Sequence, residues 1–240
     1  MSDERIRTFI KGLDENMEGG IPKGFVVLLT GMPGSMKSSV GFNILYQNAK
    51  QNNSKGVYFT LEQGRESLLE QMDRLHMPVK DMESMISVVD IGYLRQNTEG
   101  MEYGDSWNSV FRMYAENMKE SQGYDIMVID SLAALEVLAD VKNKRAELFH
   151  LFGWLRGIGC KPGENEPPKV TTFIISEAST NQDIMRDEDF LADGVIHLDL
   201  RRESDNVNLY LGVAKMRKTN HSRKYCPLIF DQNGFEVNTD

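Results

Sequence analysis

Cysteine is scarce in this chain, and its scarcity argues against two classes of protein. Two cysteines, Cys160 and Cys226, occur among 240 residues, and they lie far apart in the sequence. A disulfide-stapled secreted domain needs several paired cysteines, and a thiolate metal centre needs them at short fixed spacings. The four histidines show no metal-ligand spacing either. We therefore expect two reduced thiols and no metal site built from cysteine or histidine.

Long apolar runs and an excess of basic charge are also missing. No run approaches the roughly 18 apolar residues that span a bilayer, and the segment Met1–Lys11 is charged and lacks an apolar signal core. Lys and Arg total 27 against 36 Asp and Glu, which gives a formal charge of -9. Such a field repels nucleic acid and anionic membranes at long range. We expect a cytoplasmic protein without membrane insertion, and nucleic acid is not the expected partner.

The length and the 40% hydrophobic content suit one α/β domain spanning residues 1–240. Apolar runs alternate with helical patterns and then follow one another directly, which predicts a mostly parallel sheet flanked by helices with antiparallel C-terminal strands. The predicted strands are Phe25–Leu29, Gly56–Leu61, Met85–Ile91, Asp125–Ile129, Val170–Ile175, Gly194–Leu200, Val207–Ala214, Leu228–Phe230 and Phe235–Val237. The predicted helices are Ser38–Gln51, Arg65–Leu75, Trp107–Glu120 and Lys142–Ile158.

A glycine-containing segment, Gly31–Ser39, lies between the first predicted strand and the first predicted helix. It approximates the phosphate-loop pattern G-x-x-x-x-G-K-[ST], whose backbone N–H groups bind the phosphates of a nucleotide. Lys37 would reach the β- and γ-phosphates, Ser38 would bind Mg²⁺, and Ser39 would touch the α-phosphate. The predicted ligands are therefore ATP and Mg²⁺, and the alternative is a strand-to-helix turn without a ligand. The predicted binding residues are Gly31, Pro33, Gly34, Ser35, Met36, Lys37, Ser38 and Ser39.

Met36 departs from that pattern, because glycine normally precedes the lysine. Glycine suits a tight bend under the phosphates, which a Cβ opposes. A left-handed conformation at Met36 would add about 1–2 kcal/mol of strain. That strain would weaken ATP binding by roughly tenfold. We expect weakened binding rather than its loss.

Polar residues follow three of the other predicted strands, and ligands of open α/β sheets bind beyond the carboxyl ends of the strands. Asp130 suits a carboxylate that holds Mg²⁺ through water, together with the Ser38 hydroxyl. Glu62 suits the catalytic residue that orients an attacking water. Ser176 or Glu177 could sense the γ-phosphate. Each could instead be a solvated strand end, and Asp130 or Ser131 could cap the following helix.

These segments, in this order, resemble the KaiC-like branch of the RecA superfamily of ATPases over nearly the whole chain. The matching segments are Gly12–Asp14, Gly19–Gly24, the phosphate loop, Thr60–Gln63, Val128–Ser131, Leu191–Val195 and Lys215–His221. The resemblance implies a RecA-like core. It also implies a ring, usually a hexamer, with ATP at each subunit boundary.

The resemblance also assigns roles to individual residues. Lys215 and Arg217 match a basic pair that reaches the γ-phosphate of the neighbouring subunit, in trans. Residues two apart on a strand share a face, and two cations there could stabilise charge on a transferred phosphoryl group; the alternative is a solvated basic strand end. Family members carry two glutamates where this chain has Glu62 and Gln63. Asp187–Asp189 stands where a phosphorylated Ser-Thr pair would fall, so clock-type autophosphorylation is not expected.

Three functions remain open from the sequence. The first is a slow Mg²⁺-dependent ATPase that acts as a ring-shaped regulatory or signalling oligomer. The second is a non-hydrolysing nucleotide sensor or scaffold, which Met36 and Gln63 favour. The third is a recombinase-like DNA-binding ATPase, whose binding loops would be 96–105 and 181–189. Both loops are acidic rather than basic, so this third function is the least favoured.

Overall fold

Eleven strands occur in the part of the chain that the computed structural model describes, residues 4–97, 107–138, 144–160, 170–177, 186–203 and 205–238. They are β1 (Arg5–Ile6), β2 (Ile21–Pro22), β3 (Val26–Gly31), β4 (Gly56–Thr60), β5 (Ile86–Asp90), β6 (Ile126–Asp130), β7 (Thr171–Glu177), β8 (Gly194–Glu203), β9 (Asn206–Met216), β10 (Tyr225–Asp231) and β11 (Gly234–Val237).

The helices of the same residues are α1 (Lys37–Asn52), α2 (Arg65–Arg74), α3 (Ile91–Asn97), α4 (Trp107–Gln122), α5 (Leu132–Leu138), α6 (Lys144–Gly157) and α7 (Asp187–Leu191). Two single turns of 3₁₀ helix, Glu15–Met17 and Lys80–Met82, accompany them. Within the described ranges no helix is long and apolar enough to cross a membrane.

Nine of the described strands form one sheet in the order β11-β10-β9-β8-β3-β7-β6-β4-β5. Neighbours from β8 to β5 pair in parallel, and β8 to β11 pair antiparallel. The predicted fold class, a RecA-like parallel core with antiparallel C-terminal strands, is confirmed. The short strands β1 and β2 pair with each other in a separate ribbon.

Helices on both faces of the sheet bury β3 completely, as its uninterrupted apolar sequence predicts. Val27 and Leu29 point into the core shared with α1 and α2. Val26 and Leu28 point into the opposite core, which α4, α5 and α6 supply. Strand β3 is thereby fixed between two apolar layers, and the loop that follows β3 starts from a rigid position.

The register of the parallel strands brings their carboxyl ends to one edge. Gly31 pairs with Glu177, and Thr60 pairs with Asp130. The prediction that the polar strand ends share the edge of the phosphate loop is therefore confirmed. This edge positions the candidate site.

Three short helices are absent from the predicted set. α3, α5 and α7 have seven residues or fewer, too few for helical periodicity to stand out in a sequence. The interpretation of 181–189 as a loop is wrong at its end, where α7 begins. Residues 98–106, 161–169 and 178–185 lie outside the described residues, and so do most of the two proposed DNA-binding loops.

Candidate nucleotide site

The loop after β3 is packed directly against β8. A Cβ on Gly31 would lie 2.3 Å from the Leu198 carbonyl oxygen, so only glycine fits there. Gly34 adopts φ 84°, a conformation that side chains rarely take. Pro33 and Gly34 are exposed, whereas Ser35 and Ser39 are buried. The loop therefore follows a path that its two glycines permit.

Met36 occupies the left-handed region, with φ 63° and ψ 22°, at the N-cap of α1. The first main-chain bond there runs from the Val40 N–H to the Met36 carbonyl, at 2.9 Å. The amides of Lys37, Ser38 and Ser39 precede that bond and have no partner in the helical pattern. A helix start with free amides is an anion-binding site.

Ser35 adds a second indication that the loop suits a phosphate. Its Oγ is buried and has no hydrogen-bond partner among the described residues. Buried hydroxyls are normally hydrogen-bonded, so an orphaned one at a binding loop indicates a missing ligand. The phosphate-binding residues thus fit the ligand that the sequence predicts.

Lys37 lies buried among carboxylates. Its ammonium donates to the Met32 carbonyl oxygen at 2.8 Å. Burial lowers the pKa of Lys37, while Glu177, Asp130 and Glu62 oppose that shift through their charges. The lysine is therefore the positive centre of an otherwise acidic edge.

Asp130 and Ser38 form the candidate Mg²⁺ site. The Tyr58 hydroxyl donates to Asp130 Oδ2 at 2.5 Å, and Ser38 lies close enough to the same carboxylate to lower its pKa. Burial raises the pKa of Asp130, and the hydrogen bond from Tyr58 and the nearby Ser38 hydroxyl oppose the rise. Mg²⁺ prefers oxygen ligands and usually combines one or two protein ligands with phosphates and water. A hydroxyl beside a carboxylate fits that requirement, whereas the described residues contain no cluster of three or more His, Cys, Asp or Glu side chains that could hold a metal.

Glu62 is exposed at the same edge, and it accepts a short hydrogen bond from the Ser131 hydroxyl. Ser131 Oγ also accepts from the Ala134 N–H at 3.3 Å, so it caps α5. Of the two alternatives, the cap is Ser131 and not Asp130. Because the cap residue also contacts Glu62, the start of α5 fixes the position of the candidate catalytic carboxylate.

The Gln63 side chain is hydrogen-bonded to α2. Its amide nitrogen donates to Ser67 Oγ at 2.9 Å and to Gln71 Oε1 at 3.2 Å, both on α2. The polar side of α2 lines a cleft of about 630 Å³ that opens from the phosphate loop. Its lining residues are Gly34, Met36, Lys37, Ser38, Ser39, Gln63, Ser67, Glu70, Gln71, Arg74 and Leu75.

Ser176 and Glu177 have different surroundings. Ser176 is buried, and its Oγ accepts from Arg186 Nη1 at 3.0 Å. Arg186 also donates to the Glu177 carbonyl oxygen. The Glu177 carboxylate, in contrast, contributes to the charge around Lys37. The structure thus brings Glu177 to the lysine, while the Ser176 hydroxyl is occupied by an arginine.

Lys215 and Arg217 lie towards the other end of the sheet. Lys215 pairs with Val195, which pairs with Leu28, and Leu28 precedes Gly31 by three residues, about 10 Å along a strand. Burial, and then the charge of Arg217, lower the pKa of Lys215. The structure does not bring this pair to the phosphate loop of the same chain.

Both cations instead hold the end of α7. Arg217 donates to Asp193 Oδ1 at 2.8 Å, and Asp193 also binds Arg156. Cations at a helix C-terminus stabilise its free carbonyls. The carbonyl acceptors of Lys215 Nζ are Asp189 at 3.0 Å, Phe190 at 3.2 Å and Ala192 at 2.7 Å.

Sequence reasoning missed Tyr58 and the cleft side of α2. Tyr58 was predicted only as part of a strand, yet a tyrosine within a buried apolar strand needs a partner for its hydroxyl. That signal indicates a polar neighbour without naming Asp130, because the two residues are distant in sequence. The α2 pattern revealed its apolar face only, since nothing local shows what its polar face lines.

Comparison with known proteins agrees with this geometry. The family model described as "ATPase: KaiC" matches residues 6–240. A UPF0273 protein of Pyrobaculum aerophilum is 27% identical over 100% of this chain and 84% of its own length, and one of Thermotoga maritima is 26% identical over 98% and 96%.

A solved structure has a similar fold over nearly the whole chain. A KaiC-like protein from Pyrococcus horikoshii superposes with a TM-score of 0.80 at 28% identity, covering 98% of this chain and 99% of that one. The circadian clock protein KaiC2 of Synechocystis is 24% identical, and the match spans 96% of this chain but 39% of that protein. The chain belongs to the KaiC-like family of RecA-type P-loop ATPases.

Proposed function

We propose that this protein binds ATP with Mg²⁺ at Gly31–Ser39 and hydrolyses it slowly, as one subunit of a ring-shaped regulatory or signalling oligomer. The observation that carries the proposal is the convergence of Lys37, Ser38, Asp130 and Glu62 at one edge of the sheet. These are the groups that phosphoryl transfer to water requires: charge stabilisation, a metal site and a residue that orients the nucleophile.

The charges around Lys37 support a requirement for a divalent cation. One ammonium faces the carboxylates of Glu177, Asp130 and Glu62. A triphosphate would add further negative charge, so the free amides of α1 and the lysine are not sufficient, and Mg²⁺ must supply additional positive charge. The cation, when bound by Ser38 and by water on Asp130, would neutralise charge between the phosphates.

Glu62 is the candidate for orienting the attacking water. It is exposed, its position is fixed by Ser131, and its charge acts on Lys37. A carboxylate placed beside the phosphate-binding lysine can accept a proton from water as the bond to the γ-phosphate forms. Gln63 cannot substitute for it, because an amide does not accept that proton and its side chain is engaged by α2.

The nucleoside would lie along α2. The cleft continues from the loop past Ser67, Gln71 and Arg74, and its volume of about 630 Å³ is adequate for a base and ribose. The amide and guanidinium groups there supply donors that could fix the orientation of the base.

The ring supplies the remaining cations in this proposal. Lys215 and Arg217 are directed at α7, far from the loop of their own subunit. Acting in trans, they would add two positive charges at the γ-phosphate of the neighbouring subunit. This arrangement makes hydrolysis depend on assembly, which suits a regulatory ATPase.

Comparison of Glu62→Gln with the parent protein tests the proposal. We expect phosphate release to fall about 100-fold or more, with ATP affinity within about twofold because the loop is unchanged. Glu66→Gln is the matched control: it makes the same change at an exposed carboxylate on α2. Equal phosphate release from Glu62→Gln and the parent would remove Glu62 from the mechanism.

A nucleotide sensor that does not hydrolyse ATP is the second candidate. Gln63, engaged by Ser67 and Gln71, favours it because a second catalytic carboxylate is replaced by an amide bound to α2. Tight ATP binding by the parent protein, with no phosphate release at any protein concentration, would favour the sensor over the ATPase.

A further inference from the structure

Tyr58 lies beneath the candidate Mg²⁺ site with its hydroxyl directed at Asp130. Its side chain is fully buried. It pairs with Val128, two residue pairs before the Thr60–Asp130 pair, so it shares a sheet face with Asp130. The hydroxyl donates to Asp130 Oδ2 at 2.5 Å, which is short for a bond between two oxygens. The Asp130 carboxylate of the candidate Mg²⁺ site therefore accepts a hydrogen bond from a buried phenol.

Helix α1 fixes the ring from the other side. Phe42 packs against Tyr58 with ring centroids 5.5 Å apart. Phe42 lies one helical turn after Ser38, and the Ser38 hydroxyl lies near both the phenol and the carboxylate, whose pKa values it lowers. The Tyr58 hydroxyl consequently has little freedom to turn away from Asp130.

The phenol is the donor and Asp130 Oδ2 is the acceptor. Burial and the charge of Asp130 raise the pKa of Tyr58 well above its usual range. One carboxylate oxygen is thereby occupied, and the other is left for a different partner. The charge of Lys37 also acts on Asp130, so the phenol is one of the groups that bear on the orientation of this carboxylate.

We propose that Tyr58 is a positioning residue that holds Asp130 in the orientation needed to accept a hydrogen bond from Mg²⁺-bound water. The inference rests on the proposed binding of Mg²⁺ and ATP. It goes beyond that function by assigning a determinant of metal affinity to a core residue that touches neither metal nor nucleotide. Partners that orient the groups around a metal typically change its affinity 10–100-fold.

Tyr58→Phe tests the proposal, because it removes one oxygen and keeps the ring on Phe42. Binding of a fluorescent non-hydrolysable ATP analogue is measured in EDTA and across a Mg²⁺ titration. We expect the Mg²⁺ concentration for half-maximal enhancement to rise about tenfold, with affinity in EDTA unchanged within about twofold. An unchanged Mg²⁺ midpoint, or the same loss of affinity in EDTA, would overturn the proposal.

Tyr124→Phe is the matched control. Tyr124 is equally buried, and its hydroxyl donates to the Ala115 carbonyl oxygen at 2.8 Å in the opposite core. It should lose fold stability without any shift of the Mg²⁺ midpoint. If Tyr124→Phe shifts the midpoint as far as Tyr58→Phe does, the effect is general softening of the fold and the proposal fails.

A double variant separates this inference from the proposed function. In an Asp130→Ala background, Tyr58→Phe should leave the Mg²⁺ midpoint unchanged, since Tyr58 would act through the missing carboxylate; a further rise would contradict it. Removing both partners also avoids a buried unpaired group, so this variant remains informative if Tyr58→Phe alone does not fold. If the parent protein binds the analogue with no dependence on Mg²⁺, the proposed function fails first.

Discussion

The left-handed residue of the phosphate loop, Met36, offers a test of where backbone strain acts. Its φ of 63° should store about 1–2 kcal/mol. Contacts within the chain hold this conformation: the Val40 N–H bonds to the Met36 carbonyl, and the side chain packs on the core beside α1. The strain therefore belongs to the fold and should lower folding stability. The sequence-based expectation that the strain weakens ATP binding tenfold stays a prediction, and variants at Met36 distinguish the two effects.

The comparison of Met36→Gly with Met36→Ala isolates the strain, because both variants lack the long side chain. Alanine keeps the Cβ that opposes a positive φ, while glycine removes it at an entropic cost of about 0.5–1 kcal/mol. The difference predicts that the glycine variant is more stable than the alanine variant by about 0.5–1 kcal/mol. The two should bind ATP with equal affinity.

Urea unfolding measures the stability difference, and calorimetric titration with Mg²⁺ and ATP measures affinity. The reasoning is refuted if Met36→Gly binds ATP about tenfold more tightly than Met36→Ala while the two unfold at the same urea concentration. That result would mean that the left-handed conformation is imposed by the nucleotide.

Two further predictions concern assembly and the N-terminal segment. A Lys215→Ala/Arg217→Ala variant should retain ATP binding and lose about 1,000-fold in hydrolysis. Mixing it with Glu62→Gln subunits should restore part of the rate, and no recovery on mixing would argue against action in trans. Asp14→Ala should lower unfolding free energy by roughly 3 kcal/mol, because Asp14 accepts from the Thr8 N–H, the Thr8 hydroxyl and the Phe9 N–H, two of which are buried bonds. The control is Asp231→Ala, at an exposed position, which should change the unfolding free energy by less than about 1 kcal/mol in urea unfolding. An equal change in the two variants would contradict the stabilising role of the Asp14 hydrogen bonds.

Local patterns in the sequence predicted the strands of the sheet and the edge at which the polar residues meet. Runs such as Val26–Leu29 are buried on both faces, so they lack alternation and are recognisable as central strands of a parallel sheet. The order of the strands was not predictable, because it depends on which helix crosses which face. The shared edge followed regardless, since parallel strands place their carboxyl ends on one side.

The partners of the site residues depend on contacts between distant segments. The contact of Tyr58 with Asp130 crosses 72 positions of sequence, and that of Ser131 with Glu62 crosses 69. Neither pairing has a local signature. The capping role of Ser131 was one of two alternatives in the sequence, and only the bond from Ala134 distinguishes it from Asp130.

The basic pair shows the opposite situation. The spacing of Lys215 and Arg217 predicted a shared direction along a strand, but β9 ends at Met216 and Arg217 lies just beyond it. The sequence also did not predict that the end of α7 would engage both cations. Because α7 has five residues, its presence could not be inferred from periodicity. The role in trans stays a prediction, and the contacts with α7 show what the pair must release to perform it.

The most direct test of the central claim is calorimetric titration of ATP into the parent protein and into Lys37→Ala, each with Mg²⁺ and with EDTA. We predict saturable binding by the parent that strengthens with Mg²⁺, and an affinity at least about 100-fold lower for Lys37→Ala, because the only ammonium among the loop residues is then gone. Absence of heat from the parent at saturating ATP and Mg²⁺, or equal affinities for the two proteins, would contradict the account.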